Sequence, residues 1–182
     1  MQMKIIKNYI QRYCEILDKM IWDMTHQQMT DSISHMFIVR MLPHHRAAIE
    51  MSKNILMYTN DIPVRKIASD IITQQTKSIR ALEQALPSCS AIANPPHELC
   101  QYHKQYEQIS QTMFLQMRSA ETVGNLNVDF MREMIPHHRG AVKMSENALN
   151  FKVCPELIPI LQSIIILQKA GIQEMQCLLR TI

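Results

Sequence analysis

With 182 residues, 47% of them apolar, the chain is long enough to bury a sizeable core as one or two domains. Only 3 Gly and 10 Phe, Trp and Tyr residues among long apolar-periodic stretches argue for helices and against a turn-rich sheet protein. The formal charge of +3 comes from scattered Lys and Arg, which leaves no footprint for nucleic acid, and no run is apolar enough to span a membrane.

In chain order, the first predicted helix lies near residues 3–29, where Ile6, Tyr9, Ile10, Tyr13, Ile16, Leu17, Met20 and Met24 recur at helical spacing. A second runs from about Asp31 to Tyr58, and a third from Pro63 to about Leu86. The segment Pro87–Pro96 (PSCSAIANPP) reads as a seam. After it the pattern repeats. One helix covers about 96–120, opened by Asn94-Pro95-Pro96. Another spans about Asn125 to Phe151 after the Gly124-Asn125 turn, and a last one runs from Pro155 to about Leu179. Short connections predict antiparallel neighbours in an all-α bundle.

Shifting the chain by 93 residues superposes the halves without a gap. Tyr9 falls on Tyr102, Tyr13 on Tyr106 and Phe37 on Phe130, while MLPHHRAAIEMSKNIL from Met41 meets MIPHHRGAVKMSENAL from Met134. The register persists to Leu86/Leu179. Unrelated segments would agree at roughly one position in twenty, so the chain is a duplication: one three-helix repeat over 1–90 and a second over 91–182, expected to pack as one unit.

Five Cys with no CxxC pair read as reduced thiols in preference to a disulfide framework. With no signal-peptide pattern at the N-terminus, the expected location is cytoplasmic, or exported should a leader have been removed.

The chemistry concentrates in the middle helix of each repeat. Each residue advances a helix by about 100°, so Met41, His44, His45 and Met51 share a face of about 120° with the small Ala48 and Ser52 between them. Met134, His137, His138, Ala141, Met144 and Ser145 repeat the layout. Imidazole and thioether donors with no carboxylate common to both copies suit soft or borderline cations, Cu(I) and Ag(I) above all, and suit Mg²⁺ or Ca²⁺ poorly. The i,i+4 pairs Met20/Met24 and Met113/Met117 are candidate extra donors, although Met also serves as core filler.

Pro43 and Pro136 precede the His pairs and predict either a kink or a helix restart. Gln75 and Gln168 interrupt the apolar stripe of the third helix, and a carbonyl there could accept an imidazole N–H and fix the ring. Arg46 and Arg139 read as solvated or ion-paired. His97, Cys100 and His103 share an arc that the first repeat lacks, and ordinary surface residues are the better reading of it.

The Met-x-Pro-His-His-x-x-Ala-x-x-Met core, followed by Gln-x-x-x-Ile on the next helix, resembles the DUF 305 family, whose name records an unknown function. The likeness is strongest at Phe37–Leu56 with Ala68–Leu82, and at Asp129–Leu149 with Leu161–Met175. It implies a ferritin-like, four-helix-bundle-type fold and, for some members, copper binding and copper resistance. It points to Met41, His44, His45 and Met51 and to Met134, His137, His138 and Met144. The family's acid two residues after the position of Lys169 is Gly171 here and Ser78 in the first repeat, and the family-like Asp129 is matched by Met36.

The leading expectation is therefore a non-enzymatic protein that sequesters, stores or hands on Cu(I), its partner a metal ion; a homo-oligomer is compatible with this. The alternatives are a structural or interaction module without metal, and a haem- or di-metal-binding bundle. No Glu-x-x-His for a ferritin-type centre and no CxxCH occur, and no catalytic fingerprint is evident.

Overall fold

The computed structural model describes residues 2–182, and helices account for most of them: α1 (Gln2–Thr25), α2 (Ile33–Leu56), α3 (Ile62–Cys89), α4 (Pro96–Arg118), α5 (Leu126–Leu149) and α6 (Leu157–Leu179). No strand occurs among the described residues, and no helix is long and apolar enough to cross a membrane. The helix starts follow local chemistry. Ser32 accepts from the His35 amide at 3.2 Å, and Asp61 accepts from the Val64 amide at 3.0 Å, with Pro63 in the first turn. Asn125 caps α5 after Gly124, whose φ of +78° only glycine adopts without strain.

The proline expectations resolve at three places. Neither Pro43 nor Pro136 restarts its helix; α2 and α5 run unbroken through them. Pro87 does not begin the seam either, because α3 continues to Cys89. A proline one turn from a helix end forfeits a single backbone bond, which the surrounding turns tolerate.

Helices α2, α3, α6 and α5 pack in a ring, with α1 laid against α2 and α4 against α5. Each central helix α2 and α5 thus has three neighbours, which is why it carries buried residues, polar ones among them, on every turn. The repeats are also cross-braced. The Tyr9 hydroxyl donates to Glu133 Oε2 at 2.6 Å, Tyr13 donates to the Met117 carbonyl at 2.9 Å, and the Arg40 guanidinium lies 4.3 Å over the Tyr106 ring.

One expectation about the cysteines is corrected. Cys89, at the end of α3, and Cys154, between α5 and α6, form a disulfide with Cα atoms 5.1 Å apart, while Cys14, Cys100 and Cys177 stay free. Two cysteines 65 residues apart in different repeats carry no spacing motif, so only the packing reveals the pair. Around the bond the Ser32 hydroxyl donates to the Cys89 carbonyl, and Ser34 Oγ accepts from the Cys154 amide at 2.8 Å. The buried Asn94 side chain ties the Ile33 amide to the Lys152 carbonyl.

Candidate metal centre

The two His-His faces do not form two sites. Because α2 and α5 face each other, they merge into one cluster on the interface between repeats. His44 and His137 stack with ring centroids 3.6 Å apart and 25° between planes. His45 and His138 flank them, at 5.8 and 5.9 Å from their chain neighbours. Solvent reaches none of the four appreciably, the most exposed being 2% accessible.

The hydrogen bonds distinguish the rings. His137 Nε2 lies 3.1 Å from the His44 carbonyl. A carbonyl only accepts, so Nε2 carries the hydrogen and Nδ1 is left with its lone pair. That Nδ1 has no partner, nor has either nitrogen of His44, nor Nδ1 of His45 or of His138. Ser52 and Ser145, one on each central helix, also have unpartnered hydroxyls. Buried polar atoms are normally bonded, so this concentration of open acceptors and donors is the most unusual feature of the core.

Electrostatics keep the rings neutral. Burial drives His45 down to about 3 with help from the neighbouring His137 ring, and burial drives His137 down to about 4 against its bond to the His44 carbonyl. His44 and His138 are held well below the ordinary histidine range, first by burial and then by the other imidazoles. Neutral imidazole is the form that ligates a metal.

His45 Nε2 sits 2.9 Å from Ser78 Oγ on α3, at the position where the family resemblance implies an acid. This replaces the bond expected from glutamine: neither amide atom of Gln75 has a partner, and the Gln168 carbonyl has none. In the second repeat Gly171 occupies the Ser78 position. A Cβ there would lie 3.1 Å from the His138 ring, so α6 leaves that ring room in place of a hydroxyl.

The sulfurs are all deep in the core. Met41, Met51, Met134 and Met144 are at most 1% exposed, on the central helices beside the histidines. Met20 lines a groove with Pro43 and Ala47, and Met113 packs on Gly140. Both therefore lie on the outer flank of a central helix, about 60–100° round from the His44 or His137 direction. Met24 and Met117 are buried in the same α1 and α4 layers.

Among the described residues, no three His, Cys, Asp or Glu side chains are arranged around one point as metal ligands. These rings as placed do not build a zinc-type site of three such groups. A soft ion that takes sulfur donors and low coordination numbers needs fewer imidazoles, and the donor set matches that chemistry. Arg46 pairs with Glu83 at 2.9 Å and stands outside the cluster. His97 and Cys100 are exposed on α4, and His103 pairs with Glu107 at 3.1 Å.

One feature of the centre escaped the sequence reading. Position 40/133, one turn before the stacked histidines, is Arg in one repeat and Glu in the other, and each meets a tyrosine of the opposite repeat, Arg40 the Tyr106 ring and Glu133 the Tyr9 hydroxyl. Burial, with Asp129 nearby, pushes Glu133 up to about 8 although Tyr9 donates to it. The signal was the charge reversal against conserved repeat tyrosines, Tyr9/Tyr102 and Tyr13/Tyr106.

The model of the family described as "Domain of unknown function (DUF305)" matches residues 34–179. A crystal structure of a DUF305 fragment from Deinococcus radiodurans superposes with a TM-score of 0.60 at 24% identity, covering 82% of this chain and 97% of that one. CopM in an Ag-bound form obtained by soaking gives 0.61 at 26% identity over 85% of this chain and 98% of that one. CopM in a Cu(II)-bound form gives 0.61 at 26% identity over 85% and 99%. Neither neighbour is described as an enzyme. A search of functionally curated proteins returned no match.

Proposed function

This chain belongs to the DUF305 family, and on that premise we propose that it binds a copper or silver ion at one centre shared by its two repeats. His44 and His137 are the primary imidazole donors, His45 and His138 flank them, and Met41, Met51, Met134 and Met144 offer thioethers. The observation that carries this reading is the stacked His44–His137 pair: buried, neutral, and with both nitrogens of His44 and Nδ1 of His137 left open. The CopM structures with Ag and Cu(II) support the choice of metal.

Lone pairs of an imidazole lie in its ring plane, so two stacked rings present donors side by side. Loading must therefore turn the rings about their Cβ–Cγ bonds towards a common point. Sulfur donors favour the +1 state, whereas imidazoles accept either oxidation state. The chemistry is capture and release, without turnover of a substrate. The Cys89–Cys154 bond favours an oxidising compartment over the reducing cytosol expected from the cysteine pattern.

Anaerobic titration of Cu(I) against a competing chelator tests the reading. Replacing His44 and His137 together by Ala should weaken binding by about a hundredfold or more. Equal affinity in wild type and variant would refute it. The competing reading, imidazoles that only pack, is favoured if the isolated protein contains no metal and its melting temperature does not rise with Cu(I) or Ag(I).

A further inference from the structure

A buried centre needs a way in, and the two repeats are not equivalent in this respect. Between α3 and α6 lies a cavity of about 240 Å³ whose inner wall includes His45. Its floor is Gln75, Gln168 and Ile164, all buried, and its rim is the exposed Lys77, Pro159 and Ser163. The floor amides are among the unpartnered polar atoms: both atoms of Gln75 and the carbonyl of Gln168 are free of hydrogen bonds. A graded passage from solvent to one of the four histidines, paved with open amide groups, is what a migrating ion requires.

The duplication should create a sister passage on the other side of the ring, ending at His138. There the repeat partners of Pro159, Ser163 and Ala81 are Lys66, Asp70 and Glu174. Lys66 bonds to Asp70 at 2.8 Å and, across the two helices, to Glu174 at 3.0 Å. Three charges thus strap α3 to α6 where the open groove has a proline, a serine and an alanine. A cavity of about 450 Å³ does lie on that side, but its lining is Lys66, Glu174 and the helix ends around Ile62 and Leu178, and it does not include His138.

We propose that the groove between Ala81 of α3 and Pro159 of α6 is the main port through which metal enters and leaves the histidine centre, and that Gln75 and Gln168 line its inner end as transient oxygen donors. This rests on the metal-binding reading above, and its test is kinetic where that one is an equilibrium.

The strap of the closed side can be transplanted. In the variant Ala81→Glu/Pro159→Lys, stopped-flow loading with Ag(I) and its removal by excess chelator should both slow by about tenfold or more, with affinity held within about twofold. Unchanged rates in this variant, shown folded by its circular dichroism and melting curve, overturn the proposal. So does a fall in affinity without a fall in rate, which would make these residues part of the binding site. The converse variant, Lys66→Ala/Glu174→Ala, alters only exposed side chains and keeps the experiment decisive should the first fail to fold. It should speed loading by about twofold by opening the second passage, and no acceleration counts against the strap as the barrier. If wild type itself takes up no Ag(I), or does so equally well without His44 and His137, the failure lies with the site and not with the port.

Discussion

His44 and His137 occupy the same position in the two repeats, yet their contact is not symmetric: His137 donates from Nε2 to the His44 carbonyl at 3.1 Å, whereas neither nitrogen of His44 has a partner. The packing of α2 against α5 brings the rings together, and the hydrogen bond then gives them different roles. One ring is fixed in its tautomer, and the other is open on both edges.

Neutral rings make stability depend on pH. In the metal-free protein His137 resists protonation down to about 4 and His45 down to about 3, while the same side chains in the unfolded chain take a proton near 6.5. The unfolded state binds more protons in that window, so this contribution is complete above 6.5 and is lost as pH falls towards 4 and below. Urea unfolding should show a loss of about 2 kcal/mol or more between pH 6.5 and 4. The variant His44→Leu/His137→Leu should flatten the slope, and a slope unaltered by that change would count against buried neutral rings.

Glu133 acts in the opposite sense. Its folded-state value is raised to about 8 from 4.5, so it costs nothing below 4.5 and progressively destabilises the fold as pH rises through 8. Glu133→Gln keeps an acceptor for the Tyr9 hydroxyl and removes the charge. The variant should match wild type at pH 4.5 and exceed it by about 1–3 kcal/mol at pH 9. Equal stability at both values would mean that Glu133 is solvated.

Among the described residues, Ser78 is the only hydrogen-bond partner of the His45 ring. Ser78→Ala leaves a buried imidazole nitrogen unbonded and should cost about 1–2 kcal/mol in unfolding free energy. If the hydroxyl also orients His45 for metal, Cu(I) affinity should fall by about tenfold. A stability loss with unchanged affinity would restrict Ser78 to a structural part.

The disulfide closes a stretch of 65 residues that includes all of α4 and α5. Restricting the unfolded chain over that length is worth about 4 kcal/mol on the chain-entropy model. Reduction, or Cys89→Ser/Cys154→Ser, should lower the unfolding free energy by an amount of that order. Alkylation under denaturing conditions should label Cys14, Cys100 and Cys177 without reductant and all five cysteines after reduction.

Much of the architecture was legible in local pattern. Helical periodicity and capping residues placed every helix within a few residues, with Pro87 the main misreading, because a proline near a helix end costs too little to stop it. The repeat offset and the Met/His-His/Met faces were equally plain, since identical residues at identical spacing need no structure to be seen. What the faces do was less plain. Helix geometry says that His44 and Met51 point the same way; it does not say what they meet there. Cys89 and Cys154 carried no motif at all, Ser78 only a departure from the family's acid, and each acquires a role only from a residue more than 30 positions distant.

The amino-acid sequence alone determined a duplicated, all-helical chain with paired imidazoles on its central helices, because helix formation and side-chain periodicity are properties of neighbouring residues. Only the tertiary structure decided that two histidine pairs become a single buried cluster, that a cavity between α3 and α6 reaches His45 while Lys66 and Glu174 bridge the same two helices elsewhere, and that a disulfide pins the repeats together. Those outcomes depend on which faces of distant helices are pressed against each other, a choice made by the packing of the whole core.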